Sequence, residues 1–228
     1  VSWPLDSHQI LAWFLTASPC VCYFVFNFAI STKKWNAFWT PLFLITYVFG
    51  VLLFVGATLT THPLPRIFSK DFGHYCRFCK KTVPNNAKHC RMCNKCRVGF
   101  DHHCRYINNC VTQSNYYIFF FGCLLLVTSA IIAMTQLIIY GITYKNNKNI
   151  YLSSATKYLK QKVTPLIFWI LYAVSIGFYL GLAIPMMVLI IYHIFFQVNG
   201  ISTYDYIMDN ISKFPQRLTH FSCITNYK

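Results

Sequence analysis

Four long stretches of the chain, residues 10–30, 37–60, 116–144 and 165–198, contain no Lys, Arg, Asp or Glu. Each exceeds the roughly 20 residues that a helix needs to cross the hydrocarbon core of a bilayer. Lipid offers no partner to backbone N–H and C=O groups, so each stretch must bond internally, as a helix. No basic segment precedes the first stretch, which therefore predicts a span and not a cleaved leader. The fourth has 34 residues, about 51 Å as a continuous helix, so it must tilt, bend at Pro185 or project from the membrane. The pattern predicts an α-helical membrane protein. Residues 1–61 hold transmembrane helices 1 and 2, and 62–115 form a polar domain between the second and third spans. Residues 116–198 hold helices 3 and 4 around a luminal loop at 145–164, and 199–228 form a tail. No internal repeat stands out.

Charge adds an orientation. The 228 residues include 20 Lys and Arg against 5 Asp and Glu, for a net charge of +15. Four spans put both termini and the 62–115 segment on one side, which carries 13 of the Lys and Arg, against 7 on the other. The positive-inside rule makes the richer side cytosolic. A reducing cytosol also suits clustered thiols that ligate metal, since outside it they would oxidise to disulfides. The basic face of a domain tethered at a bilayer is accounted for by anionic lipid, so no nucleic-acid partner is expected.

The polar segment has the spacing C-x2-C-x9-H-C-x2-C-x2-C-x6-H-C-x5-C from Cys76 to Cys110. Two thiolates three residues apart can share one tetrahedral zinc ion, and two such pairs a dozen or so residues apart form a strong zinc signature. The gaps hold Arg77, Lys80, Asn94 and Lys95, which leaves no apolar core to hide the thiols. Metal must then supply the folding energy that burial cannot. Seven cysteines (Cys76, Cys79, Cys90, Cys93, Cys96, Cys104, Cys110) stand with His89, His102 and His103 as near candidates, while His74 looks like a linker residue. Two Cys3His sites use six cysteines and two histidines. One of each is left over.

Spacing alone does not say which thiol is spare. Local chemistry favours Cys104, because only it follows a carboxylate and two imidazoles, Asp101, His102 and His103. In an extended stretch His102 shares a face with Cys104 and His103 points away. That suggests His103 as ligand and His102 as base, with Asp101 orienting the imidazole, an arrangement that activates a nucleophile.

These residues resemble the DHHC-type protein S-acyltransferases, the palmitoyltransferases. The likeness rests on Asp101-His102-His103-Cys104, the zinc ligands before it and Asn109-Cys110 after it. It extends to the four spans with a cysteine-rich cytosolic domain between the second and third. It implies one zinc on Cys76, Cys79, His89 and Cys96, and a second on Cys90, Cys93, His103 and Cys110. It also implies a ping-pong transfer from palmitoyl-CoA or another long-chain acyl-CoA through an acyl-enzyme at Cys104, with His102 and Asp101 as catalytic partners. Membrane-associated proteins with cytosolic cysteines would be substrates, at the Golgi or endoplasmic reticulum. Most of the family has Pro-Trp after the nucleophile, where this chain has Arg105-Tyr106, similar to a subgroup with a basic residue there. The Asp-Pro-Gly motif becomes His62-Pro63-Leu64, and Thr-Thr-x-Glu becomes Ser202-Thr203-Tyr204-Asp205.

Two rivals follow from the same residues: a RING-like zinc module, and a catalytically weakened scaffold of the same family. The first has no use for a spare thiol. Elsewhere the aromatic clusters at 116–121 and 195–196 predict interfacial, lipid-facing packing. Gly177 and Gly181 predict close helix packing, and Cys20, Cys22 and Cys123 read as inert. Cys223 reads as a free thiol.

Overall fold

The computed structural model describes residues 6–31, 33–64 and 73–213. Arg66, Lys70 and the tail residues Arg217, Cys223 and Lys228 lie outside the described residues. The expected architecture holds: four helices long and apolar enough to cross a membrane, with a Cys/His-rich segment between the second and third. These are α1 (Ser7–Cys22, continued as a π-helical segment Tyr23–Phe28), α2 (Lys33–Leu59), α3 (Tyr116–Leu159) and α4 (Pro165–Val198). Six short strands, β1 (Gly73–Cys76), β2 (Lys81–Pro84), β3 (Ala87–Cys90), β4 (Lys95–Val98), β5 (Phe100–Cys104) and β6 (Asn109–Thr112), pair in sequence as three two-stranded hairpins. An eleven-residue helix α5 (Thr203–Lys213) follows α4. The chain divides into two compact units, one holding α1 to α4 as far as Ile190 with the turn Cys104–Asn109, the other holding most of the hairpins, the end of α4 and α5.

In the helical unit, Pro19 lies inside α1 and the π turn begins four residues later, at Tyr23. Within that turn sits Asn27, fully buried, whose amide donates to the Ala133 carbonyl (3.0 Å) and the Gln136 side chain (3.2 Å) while Tyr179 Oη donates to its Oδ1 (3.0 Å). A polar side chain at this depth needs partners, and these tie α1, α3 and α4 together. Aromatic packing surrounds them: Tyr23 stacks on Phe43 at 3.9 Å, and Phe168 meets Phe26 edge-on at 5.1 Å.

The structure corrects several expectations. Residues 145–164 do not form a loop. Instead α3 runs 44 residues, to Leu159, and only a short connector from Lys160 (φ 54°) leads into α4. Tyr151 and Ala155, one turn apart, form an apolar face hidden in a polar composition. Tyr151 joins the buried aromatic cluster and stacks on Phe168 of α4 with ring centroids 6.4 Å apart, which holds the extra turns against the bundle. The close approach of helices is also elsewhere. A Cβ on Gly177 would meet nothing within 4 Å, and one on Gly181 only a leucine methyl at 3.7 Å. By contrast, Gly50 and Gly122 let α2 and α3 touch backbone to backbone, since a Cβ on either would lie 3.0 Å from a main-chain nitrogen of the other helix. Within the aromatic clusters Tyr117, Phe121 and Phe195 are exposed as expected, but Tyr116, Phe119 and Phe196 are buried. The fourth span passes through Pro185 as one helix.

Gly122→Leu should therefore destabilise the bundle by about 1–3 kcal/mol through overpacking against a backbone that cannot yield. Gly177→Ala should be neutral or slightly stabilising, because Ala favours helix and has space there. Thermal midpoints of the two variants in detergent check the contrast.

Candidate active site and metal centres

The hairpins reveal a repeat that the sequence reading passed over. Cys76, Cys79, His89 and Cys96 recur 14 positions on, as Cys90, Cys93, His103 and Cys110. The strands recur with the same offset: Cys76 pairs with Lys81, and Cys90 with Lys95. Each turn ends on a left-handed residue, Lys80 (φ 50°), Asn94 (φ 49°) and Asn108 (φ 46°), again 14 apart. The three turns read Cys76-Arg77-Phe78-Cys79, Cys90-Arg91-Met92-Cys93 and Cys104-Arg105-Tyr106-Ile107. Cys104 thus stands where the other two turns begin with a ligand, and Ile107 replaces the second thiol. Arg105 is the residue found at the same place in both other turns. His74, read as a linker, belongs to β1 and pairs with Val83.

The first two turns gather two sets of four donors. In the first, His89 Nδ1 lies 3.7, 3.3 and 3.7 Å from the Sγ atoms of Cys76, Cys79 and Cys96. In the second, His103 Nδ1 lies 3.7, 3.4 and 4.0 Å from Cys90, Cys93 and Cys110, and the Cys93 and Cys110 sulfurs are 3.5 Å apart. Donors on one tetrahedral zinc stand about 3.6 Å apart for S and N and about 3.8 Å for two sulfurs, so both sets fit the ion. The charges fit it as well. Cys93 is pushed far down by hydrogen bonds from Cys110 and Cys90, while Cys110 is pushed far up by its bonds with Cys90 and Cys93. Burial works against a charged His103, yet the Cys90 and Cys93 thiols raise it to about 9. Such a cluster calls for a cation at its centre.

Cys104 belongs to neither set. It ends β5, which is extended throughout, and it is 5% exposed. On the same strand His102 Nδ1 lies 2.7 Å from Asp101 Oδ2. Two ligands of one ion at about 2.1 Å would stand near 3.4 Å apart, so the shorter spacing is that of a shared proton. Thr203 holds the carboxylate from the other side, its backbone N–H donating to Oδ1 (2.9 Å) and its hydroxyl to Oδ2 (2.7 Å). Burial alone would raise Asp101; the bonds from His102 and Thr203 outweigh it and keep it lowered. Thr203 is placed by the Ser202 cap before it. Ser202 Oγ accepts from the Asp205 N–H (3.0 Å) and bonds its carboxylate (2.6 Å), fixing the start of α5.

His193, near the end of α4 and 2% exposed, tilts against His102 with ring centroids 5.3 Å apart. Sequence reasoning missed it; a lone imidazole in an apolar span was the available signal. A cleft of about 310 Å³ opens here, lined by Asp101, His102, Phe100, Met92, Tyr204 and Met208 among others.

A family model described as DHHC palmitoyltransferase matches residues 69–210, more than half of the chain. The chain belongs to that family. The DHHC match spans all three hairpins, α3, α4 and most of α5, so it includes Thr203 and His193 as well as the motif itself. No curated protein matches the chain.

Cys90→Ala or His103→Ala should lose metal and the fold of the hairpins together, because binding and folding are coupled in such sites. Cys104→Ser should keep about two zinc ions per chain, since its thiol lies outside both sets. Metal analysis of the purified variants, alongside limited proteolysis of the hairpin segment, reads both outcomes.

Proposed function

We propose that the chain is a protein-cysteine S-acyltransferase, with Cys104 as its nucleophile, His102 as the base and Asp101 orienting that base. One observation carries this reading. Of seven thiols in the segment, Cys104 alone lies outside the metal sets, and it sits two residues along an extended strand from an imidazole hydrogen-bonded to a buried carboxylate.

The Asp101 carboxylate accepts from His102 Nδ1–H and leaves Nε2 as the basic nitrogen. Side chains two apart on a strand share a face, and that shared face supports this nitrogen as the base for the Cys104 thiol. It takes the thiol proton as sulfur attacks the carbonyl carbon of a long-chain acyl-CoA. The carbonyl re-forms, the CoA sulfur leaves with that proton, and Cys104 carries the acyl group. A cysteine thiol of a membrane-associated protein then attacks the new thioester, giving its proton to His102 and restoring Cys104. One thioester replaces another at each step, so positioning matters more than driving force. Zinc on the two Cys3His sets would staple the hairpins. The acyl tail suits the apolar interior contributed by α3 and α4, where Phe119, Leu126, Phe168 and Leu182 are buried. Lys and Arg of the 62–115 segment would meet the CoA phosphates, on the cytosolic face of a Golgi or endoplasmic reticulum membrane.

His102→Ala should keep its zinc and its fold but form acyl-enzyme roughly 10² to 10⁴ times more slowly. Raising the pH should recover part of the rate, because hydroxide can generate the Cys104 thiolate unaided. His103→Ala should lose zinc and show no such recovery. Autoacylation and zinc content from pH 6 to 9 decide the assignment. An active wild type that keeps its rate in Cys104→Ser would defeat the nucleophile, and a wild type that takes no acyl group would leave the weakened scaffold.

A further inference from the structure

The first turn of α1 carries a side chain that the fold does not explain. Gln9 is completely buried, and neither its Oε1 nor its Nε2 has a hydrogen-bond partner. Buried amides are nearly always satisfied, because an unmade bond forfeits the hydration that burial removed. A glutamine kept in this state in an apolar helix points to a group that arrives with the substrate.

The neighbouring residues say where that group would be. Asp6, the N-cap of α1, bonds the Gln9 backbone N–H through its carbonyl (2.9 Å), so the two residues lie one turn apart. Asp6 Oδ2 accepts from Nε (3.2 Å) and Nη2 (3.1 Å) of Arg105, the residue after Cys104. Its other oxygen accepts from the His8 N–H (2.8 Å), and the His8 ring meets Tyr106 edge-on at 6.1 Å. The first turn of α1 therefore lies against the turn that follows the nucleophile. Residues three apart on a helix share a side, so Gln9 lies on the same side as Asp6. That is the core-facing stripe, since Ala12, Thr16 and Pro19 continue it as buried positions.

We propose that the Gln9 carboxamide N–H donates a hydrogen bond to the acyl carbonyl oxygen reacting at Cys104, and that the Asp6–Arg105 pair holds helix and turn in register for it. This rests on the acyltransferase reading. As sulfur adds to the thioester carbon, the carbonyl oxygen gains the electron pair of the π bond and becomes an oxyanion. A donor already fixed in a water-poor interior stabilises that charge without reorganising. The oxygen returns the pair when the CoA sulfur departs, so Gln9 gives up no proton. The clamp also takes over a task that a metal ion would perform in the other two turns. Each of those is closed by two thiolates on one centre, whereas the third has Ile107, fully buried, and the Arg105 tether.

The test uses the full chain in detergent with palmitoyl-CoA. Gln9→Met keeps the volume and removes the orphaned amide. Its thermal midpoint should equal or exceed that of wild type, while the maximal rate of acyl-enzyme formation falls roughly 10²-fold and half-saturation by palmitoyl-CoA changes little. Alkylation of Cys104 by iodoacetamide, which forms no oxyanion, should continue at the wild-type rate. Arg105→Glu and Asp6→Lys should each slow both reactions, and the double variant Asp6→Lys/Arg105→Glu should outpace either single variant. A Gln9→Met variant that acylates normally overturns the proposal. So does one that loses stability, acylation and alkylation in step, which would make Gln9 a packing residue only. A wild type that forms no acyl-enzyme removes the acyltransferase reading and this one with it, a result distinct from a failure confined to Gln9→Met.

Discussion

A hairpin of two strands of four or five residues does not hold itself together in water, and the segment between the second and third spans has three of them. What holds the first two is a demand for positive charge. Three thiols and an imidazole converge on one centre in each set, at the spacing of ligands on one tetrahedral ion. The placement of His102 on β5 follows from that requirement. His103 is turned into the second set, which leaves its neighbour His102 on the opposite face of β5, where its ring bonds the Asp101 carboxylate.

The third turn shows what happens when the same local design is released from metal. Its first thiol is kept, its second is an isoleucine, and fastening passes to the ends of two helices. Asn109, the residue that leaves the turn, sends its amide to the carbonyls of Ala57, Thr58 and Thr60 at the end of α2, with bonds of 3.2, 3.1 and 2.9 Å. Those are acceptors that a helix C-terminus leaves open. Arg105, which enters the turn, is held by the cap of α1. The thiol is thereby freed from coordination without being freed to wander.

Much of this could be read in the chain beforehand, and the residues show why. Long uncharged runs leave few alternatives to spanning helices, and the ligand count isolates one surplus thiol before any geometry is known. Patterns spread over several levels were harder to see. The repeat joins Lys80 to Asn94 and Asn108 through a shared backbone angle as well as through the Cys-Arg pairs 14 apart, and the angle has no signature in the residue at the first of the three. Tyr151 and Ala155 stand among lysines and asparagines, and an apolar face one helical turn long leaves little trace in so polar a composition. His193 within the fourth apolar stretch and Gln9 just before the first are single polar residues with no local motif around them. Their surroundings are made by residues distant in sequence, His102 for the one and Arg105 for the other through Asp6.

The partition of the chain into a helical unit and a hairpin unit governs how its integrity must be observed. The spectroscopic signal of secondary structure comes overwhelmingly from the four long helices, whose backbone bonds are internal and survive without metal. Six strands of four or five residues contribute almost nothing to it. A chain stripped of metal would therefore look folded by circular dichroism while its site had come apart. A melting temperature read from that signal describes the helical unit and not the hairpins. Its working lifetime follows the hairpins, which that signal cannot see.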